Sequence, residues 1–212
     1  SSYFSVYKAY NSLRSAGQRV GKGTLFGYLA NAESVYFCYT VPIFSYKIKD
    51  QMAYPRKVYF VDNSFINFVG SRFSENFGRL SENAVYVELR RRQSMNPDLE
   101  ICYWKSRDGR EVDFVVKEGL RVKQLIQVCW DPTDEETKKR EHRGLVKAME
   151  EFRLKEGLVL TGDFEGGRLR VSARLLGRGE VSQQPPHERA LAFNPSPQPV
   201  DVVKRAHQRY PF

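Results

Sequence analysis

Long apolar runs are missing from this sequence. None approaches the roughly 20 residues that span a bilayer, and the first residues lack the order of a secretion signal, so the chain is expected to work in the cytosol. Cysteine is scarce. Cys38, Cys102 and Cys129 are odd in number and far apart, which argues against a disulfide framework and a CxxC-type zinc site and leaves each as a reduced, partly buried residue. His187 and His207 have no acidic or thiol neighbour at ligand spacing and read as ordinary surface residues. Acidic residues are short at both ends. Residues 1–62 hold eight Lys or Arg against three Asp or Glu and residues 163–212 hold eight against five, while 63–162 are nearly balanced at 18 against 17. The basic excess suits a polyanion such as nucleic acid, or else serves solubility. With 212 residues, 41% of them hydrophobic, the chain has enough apolar material for one large or two small domains.

The central stretch is Gly109 to Asp131. Two β-rich runs, Glu111 to Lys117 and Lys123 to Trp130, flank a loop around Gly119 and predict an antiparallel hairpin. With the loop at Gly119 to Arg121, residues whose numbers sum to 240 face each other, so Asp113 lies opposite Gln127. Alternation then puts Glu111, Asp113, Gln127 and Cys129 on one face, and Val112, Phe114, Ile126, Val128 and Trp130 on the other. An aspartate inside VDFVV faces either solvent or something that compensates its charge: a ligand, a metal or a base.

Around this hairpin the chain divides into three. In residues 1–62, helical spacing runs from Ser5 to Gly17 and from Lys22 to Ala32, followed by β-rich runs at 35–46 and 57–61 with a polar connection between them. Helix, turn, helix and basic β-ribbon is a winged-helix pattern. Lys22, Thr24, Lys47, Lys49, Arg56 and Lys57 are its candidate DNA contacts, with a plain connector as the alternative. In residues 63–162, a turn-rich run precedes a helix from Glu75 to Arg92. A strand at 101–105, a turn at Asp108-Gly109 and the hairpin follow. Next come a helix opened by a Thr133-x-x-Glu136 capping box and ending near Gly157, then a strand at 158–161. That crossover predicts 158–161 parallel within the same, mixed sheet. In residues 163–212, which hold six of the ten prolines from Pro185 onward, no element is expected; this tail is either native and irregular or a product of a shifted reading frame.

The motifs KVYFVDNSF, GRLSENAVYVELRRR, YW with EVDFVV, LIQVCWD, and ETKKREHRGLVKAMEEF with GLVLT occur in an order that resembles the C-terminal region of archaeal AAA-type ATPases. The resemblance implies an α/β chain: a small winged-helix connector, then a PD-(D/E)xK restriction-endonuclease-like domain of order α-β-β-β-α-β. Nucleases of that fold hold Mg²⁺ on acidic residues beside a lysine. Carried over, Asp113 is the metal aspartate, Gln127 takes the Glu/Gln position and Glu82 is the helix carboxylate, with Glu88 a weaker candidate. Glu141 either reaches the site or pairs with Lys138 or Lys139 on the helix surface. Cys129 stands where the lysine belongs, and a thiol supplies no positive charge to a reacting phosphate. No GxxxxGK[ST] loop is present, so no ATP site is expected in this chain, and the ATPase module is expected before Ser1. The implied function is a DNA- or partner-binding region with a disabled nuclease site and weak Mg²⁺ binding. The alternatives are an active Mg²⁺-dependent endonuclease and a purely structural regulator.

Overall fold

The computed structural model describes residues 2–69, 77–129, 135–165 and 168–177. The N-terminal part is β1 (Ser2–Phe4), α1 (Val6–Ser15), α2 (Lys22–Ser34), β2 (Cys38–Val41), α3 (Ile48–Ala53) and β3 (Arg56–Phe60). Its three strands form an antiparallel sheet of order β1-β3-β2, with β3 in the centre. After α4 (Asn63–Val69) come α5 (Phe77–Met95), β4 (Leu99–Lys105), β5 (Glu111–Glu118), β6 (Arg121–Cys129), α6 (Glu135–Glu151), β7 (Glu156–Glu165) and β8 (Arg168–Gly177). The second sheet has the order β4-β5-β6-β7-β8 and is mixed: only the β6–β7 pair is parallel. The chain is thus an α/β protein, and the crossover through α6 lies as its sequence predicts.

The hairpin register is the expected one through its middle, with Phe114 opposite Ile126 and Val115 opposite Leu125. Its tip differs. The turn is Gly119-Leu120, with Gly119 at φ +55 in the first central position that a type II′ turn gives to glycine, and a bulge between Val116 and Lys117 absorbs the resulting one-residue shift. A second bulge sets Cys102 opposite Val115 but Trp104 opposite Val112, so β5 carries an extra residue beside Asp113. This breaks the alternation. Val112 joins the core under α6 with Val115, Leu125, Leu145 and Met149, instead of sharing the face of Phe114 and Ile126.

Three other expectations change. The link between the N-terminal ribbon strands is not a bare polar loop but contains α3, whose N-cap is Lys47. The α6 helix ends at Glu151 rather than near Gly157, because Arg153 adopts the left-handed conformation (φ +57) and Leu154 N–H bonds back to the Met149 carbonyl at 2.9 Å. Beyond Gly162, β7 continues to Glu165 and pairs with β8 along its whole length, so the tail begins with a hairpin. The remainder from 178, with His187 and His207, lies outside the described residues, as do Trp130 and the expected Thr133–Glu136 cap.

One apolar core crosses the boundary expected at residue 62. Val41, Ile43 and Tyr59 pack with Val85, Tyr86, Phe114, Ile126 and Leu160 between the two sheets and α5. Tyr59 and Tyr86 stack with their centroids 4.4 Å apart. Edge contact completes the join: Tyr103 N–H donates to the Pro42 carbonyl at 3.0 Å, and Phe44 N–H donates to the Tyr103 carbonyl at 2.6 Å. On the far face, α6 approaches the start of β5 so closely that a Cβ at Gly144 would stand 2.6 Å from the Glu111 carbonyl oxygen.

Candidate functional site: carboxylates around a buried lysine

Strand β3 alternates, and its inward positions are Lys57 and Tyr59. Being the central strand of its sheet, it can aim both at α5 and β5. Lys57 is 1% exposed, and burial of an ammonium is tolerable only with close compensation. Compensation comes from three carboxylates carried by two elements, α5 and β5. Lys57 Nζ lies 2.7 Å from Glu111 Oε1, 2.8 Å from Asp113 Oδ1 and 3.0 Å from Glu82 Oε1. Tyr59 donates its hydroxyl to the same Glu82 oxygen at 2.7 Å. The neighbouring residues of the S-E-N motif place Glu82. Ser81 bonds back to the Phe77 carbonyl, while the Asn83 amide takes both backbone groups of Phe60 at 2.8 and 2.9 Å, tying α5 to β3.

Asp113 sits where the bulge re-aims β5. Its Oδ2 accepts from Val128 N–H at 3.0 Å and from Gln127 Nε2 at 2.9 Å, and Asp113 N–H donates to Gln127 Oε1 at 3.3 Å. The expected pairing of Asp113 with Gln127 is therefore present through side chain and backbone. Gln127 Nε2 also donates to Glu141, which reaches in from α6 and holds Arg140 with its other oxygen at 2.9 Å. Burial raises the Asp113 carboxyl to about 7, against the pull of the Lys57 ammonium. Burial would lower the Lys57 pKa, but Asp113, Tyr59, Glu82 and Glu111 together outweigh it, so the ammonium is held more firmly than an ordinary lysine.

The sequence-derived residues divide sharply in space. Glu82, Asp113 and Gln127 come together, and Glu141 joins them. Glu88 does not, because its carboxylate is held by Arg91 and Arg92 at 2.7 and 2.9 Å on the α5 surface. Cys129 belongs to the apolar cluster with Leu125, Leu145 and Met149, surroundings that suit a thiol and not an ammonium. Among the six candidate DNA contacts, Lys22, Thr24, Lys47, Lys49 and Arg56 are exposed. Lys57 is corrected: 1% exposed and ringed by acids, it cannot reach a phosphate. Sequence reasoning missed Lys57, Tyr59 and Glu111 as members of the acidic site. A signal existed for Lys57, which shares the inward phase of KVYF with Tyr59.

The Mg²⁺ implied by the resemblance can be tested against this geometry. The donors are hard oxygens of the kind Mg²⁺ takes. The point where Glu82, Glu111 and Asp113 converge, however, is filled by the Lys57 ammonium, and Gln127 turns its Nε2, a donor, toward Asp113 and Glu141. As arranged, these residues do not fit a metal ion. Among the described residues, no group of three or more His, Cys, Asp or Glu is placed to hold one. Nor is any described helix long and apolar enough to cross a membrane.

Residues 77–169 match the family described as "Domain of unknown function (DUF4143)". That stretch includes Glu82, Glu111, Asp113, Gln127 and Glu141 and leaves out Lys57. Over 150 residues, 71% of the chain, the sequence is 34% identical to an uncharacterized protein of Methanocaldococcus jannaschii. The chain spans 32% of that relative's length. No solved structure matches the chain.

Proposed function

We propose that this chain is the C-terminal region of an AAA-type ATPase, a winged-helix unit and a PD-(D/E)xK nuclease-like domain that bind DNA or a partner protein and do not cut DNA. The observation that carries the reading is the Lys57 ammonium, which sits at 2.7 to 3.0 Å from three carboxylates at the place a nuclease of this type keeps open for its cation. The α5-β4-β5-β6-α6-β7 order with a parallel β6–β7 pair supports the nuclease-like half of the reading. The match of 77–169 supports the ATPase context, since that domain is found in AAA-ATPase-associated proteins. Two helices followed by strands that pair about a central β3 support the winged-helix half, with Lys22, Thr24, Lys47, Lys49 and Arg56 as its exposed DNA-facing candidates.

A second reading, an active Mg²⁺-dependent endonuclease, needs a lysine from outside the usual strand, and Lys57 is such a lysine. It is nonetheless the weaker reading, because an ammonium engaged by three carboxylates and sealed from solvent has no donor left for a scissile phosphate. The test is incubation of the purified chain with linear, branched and single-stranded DNA in Mg²⁺ and in Mn²⁺. No cleavage above that of an Asp113→Ala control is expected. Cleavage that disappears in Asp113→Ala would establish the endonuclease instead.

A further inference from the structure

Lys57 is the only buried cation among the described residues, and the chain holds it in place by several independent means. Its strand is paired on both sides, opposite Tyr3 of β1 and Val41 of β2. Two residues on, Tyr59 is fully buried against Tyr86 and Phe114. At Phe60, both backbone groups are taken by Asn83. The backbone of Lys57 is thus fixed, the residue is 1% exposed and its ammonium is bound by three carboxylates, so Lys57 is built into the site.

The acids around it have the complementary property. Glu82, Glu111 and Asp113 come from α5 and β5, and their oxygens converge on one point at distances set by an N–H···O contact. A divalent cation of the size of Mg²⁺ would draw the same oxygens in to about 2.0–2.1 Å, a contraction of roughly 0.6–1.0 Å per oxygen that carboxylate rotamers can supply. We infer that Lys57 is a built-in replacement for a divalent cation: with it present Glu82, Glu111 and Asp113 bind no metal, and with its ammonium removed the same three residues become a site for Mg²⁺ or Mn²⁺. The inference rests on the non-cutting reading of the site and gives that reading its cause. The cation that the three acids share is carried on the strand of the neighbouring unit, outside the stretch that matches the family.

The experiment uses the full chain and Mn²⁺ as the probe, followed by the electron paramagnetic resonance signal of the free ion and by calorimetry. The native chain is expected to leave the signal at its buffer level. Lys57→Met is expected to take up one Mn²⁺ per chain, and Asp113→Asn added to Lys57→Met is expected to weaken uptake at least tenfold. Because Lys57→Met leaves three acids without their cation, its thermal unfolding is followed with and without millimolar Mn²⁺, and the metal is expected to raise its midpoint by about 5 °C or more. A folded Lys57→Met chain that takes up no Mn²⁺, or one that stays unfolded even in Mn²⁺, overturns the inference. So does Asp113-dependent Mn²⁺ uptake by the native chain. DNA cleavage is scored separately: a native chain that cuts DNA without holding Mn²⁺ at Asp113 would end the non-cutting reading and leave the lysine in its role.

Discussion

Lys57 and Asp113 are 56 positions apart in the chain and 2.8 Å apart in space, and neither is accessible enough for water to take over the partnership if one is lost. Breaking a buried ion pair by removing one side typically costs about 3–5 kcal/mol, a large part of the total stability of a domain. Above about pH 7, where Asp113 is ionised, Lys57→Met should therefore lower the urea midpoint strongly, read by fluorescence of the buried Trp104. Adding Asp113→Leu should return part of the loss and not all of it, since Glu82 and Glu111 remain. A loss below about 1 kcal/mol in Lys57→Met would mean that the acids relax toward solvent.

The raised Asp113 pKa gives a pH dependence with a definite sign. In the unfolded chain this carboxyl loses its proton near its ordinary value of 3.8, whereas in the native chain it keeps the proton up to about 7. Between those values the native state binds more protons, so this group's contribution is fully present below about pH 4 and is lost as pH rises toward 7. Chemical denaturation of the native chain and of Asp113→Asn at several pH values should show a slope in that window that the variant flattens. Parallel curves would remove Asp113 as its source.

Gly144 is a steric requirement. An alanine there would place its Cβ 2.6 Å from the Glu111 carbonyl oxygen, a backbone atom that cannot step aside without shifting β5. Alanine is the better helix former by about 1 kcal/mol, yet overpacking of this kind typically costs about 1–3 kcal/mol. Gly144→Ala is expected to lower the melting temperature, and because Glu111 anchors Lys57, it should also disturb the acidic cluster.

Arg153 presents the opposite case. It is an exposed, non-glycine residue held at φ +57, where a Cβ is costly. Arg153→Gly should stabilise the chain by about 0.5–1 kcal/mol, and Arg153→Ala should not. Equal effects of the two substitutions would rule out backbone conformation as the cause.

If the N-terminal unit binds DNA through Lys22, Lys47, Lys49 and Arg56, affinity should fall with salt, each phosphate contact adding about 0.9 to the log–log slope. Lys47→Ala with Lys49→Ala should flatten the slope by up to about two units. Binding unchanged in that double variant would leave the unit as a connector.

Regular repetition is what made this chain legible. The alternation in EVDFVV and LIQVC yields the hairpin and its register from Phe114 to Val116, and the amphipathic run between Glu135 and Glu151 yields the crossover that makes β7 parallel to β6. Deviations from repetition left little trace. The bulge beside Asp113 sends Val112 to the other core, and the two helix ends at Tyr36 and Arg153 use left-handed residues without the glycine that usually marks them. The site was half legible for a related reason. Glu82, Asp113 and Gln127 carry a known chemistry at a known spacing, but Lys57 enters from a strand whose nearness to β5 depends on tertiary packing alone, so a basic residue in a basic segment looked like a surface contact.

The short run from Pro42 to Phe44 lies along the outer side of β4 and takes up both outward backbone groups of Tyr103. An uncovered edge strand offers its amides and carbonyls to the strands of other chains and can seed fibrous growth. Here the middle of that rim is already occupied, in part by a proline that has no amide hydrogen to offer. At Tyr103 the β4 edge of the large sheet is thus blocked, so an incoming strand could not pair along the whole of β4, which works against self-templated aggregation at that side.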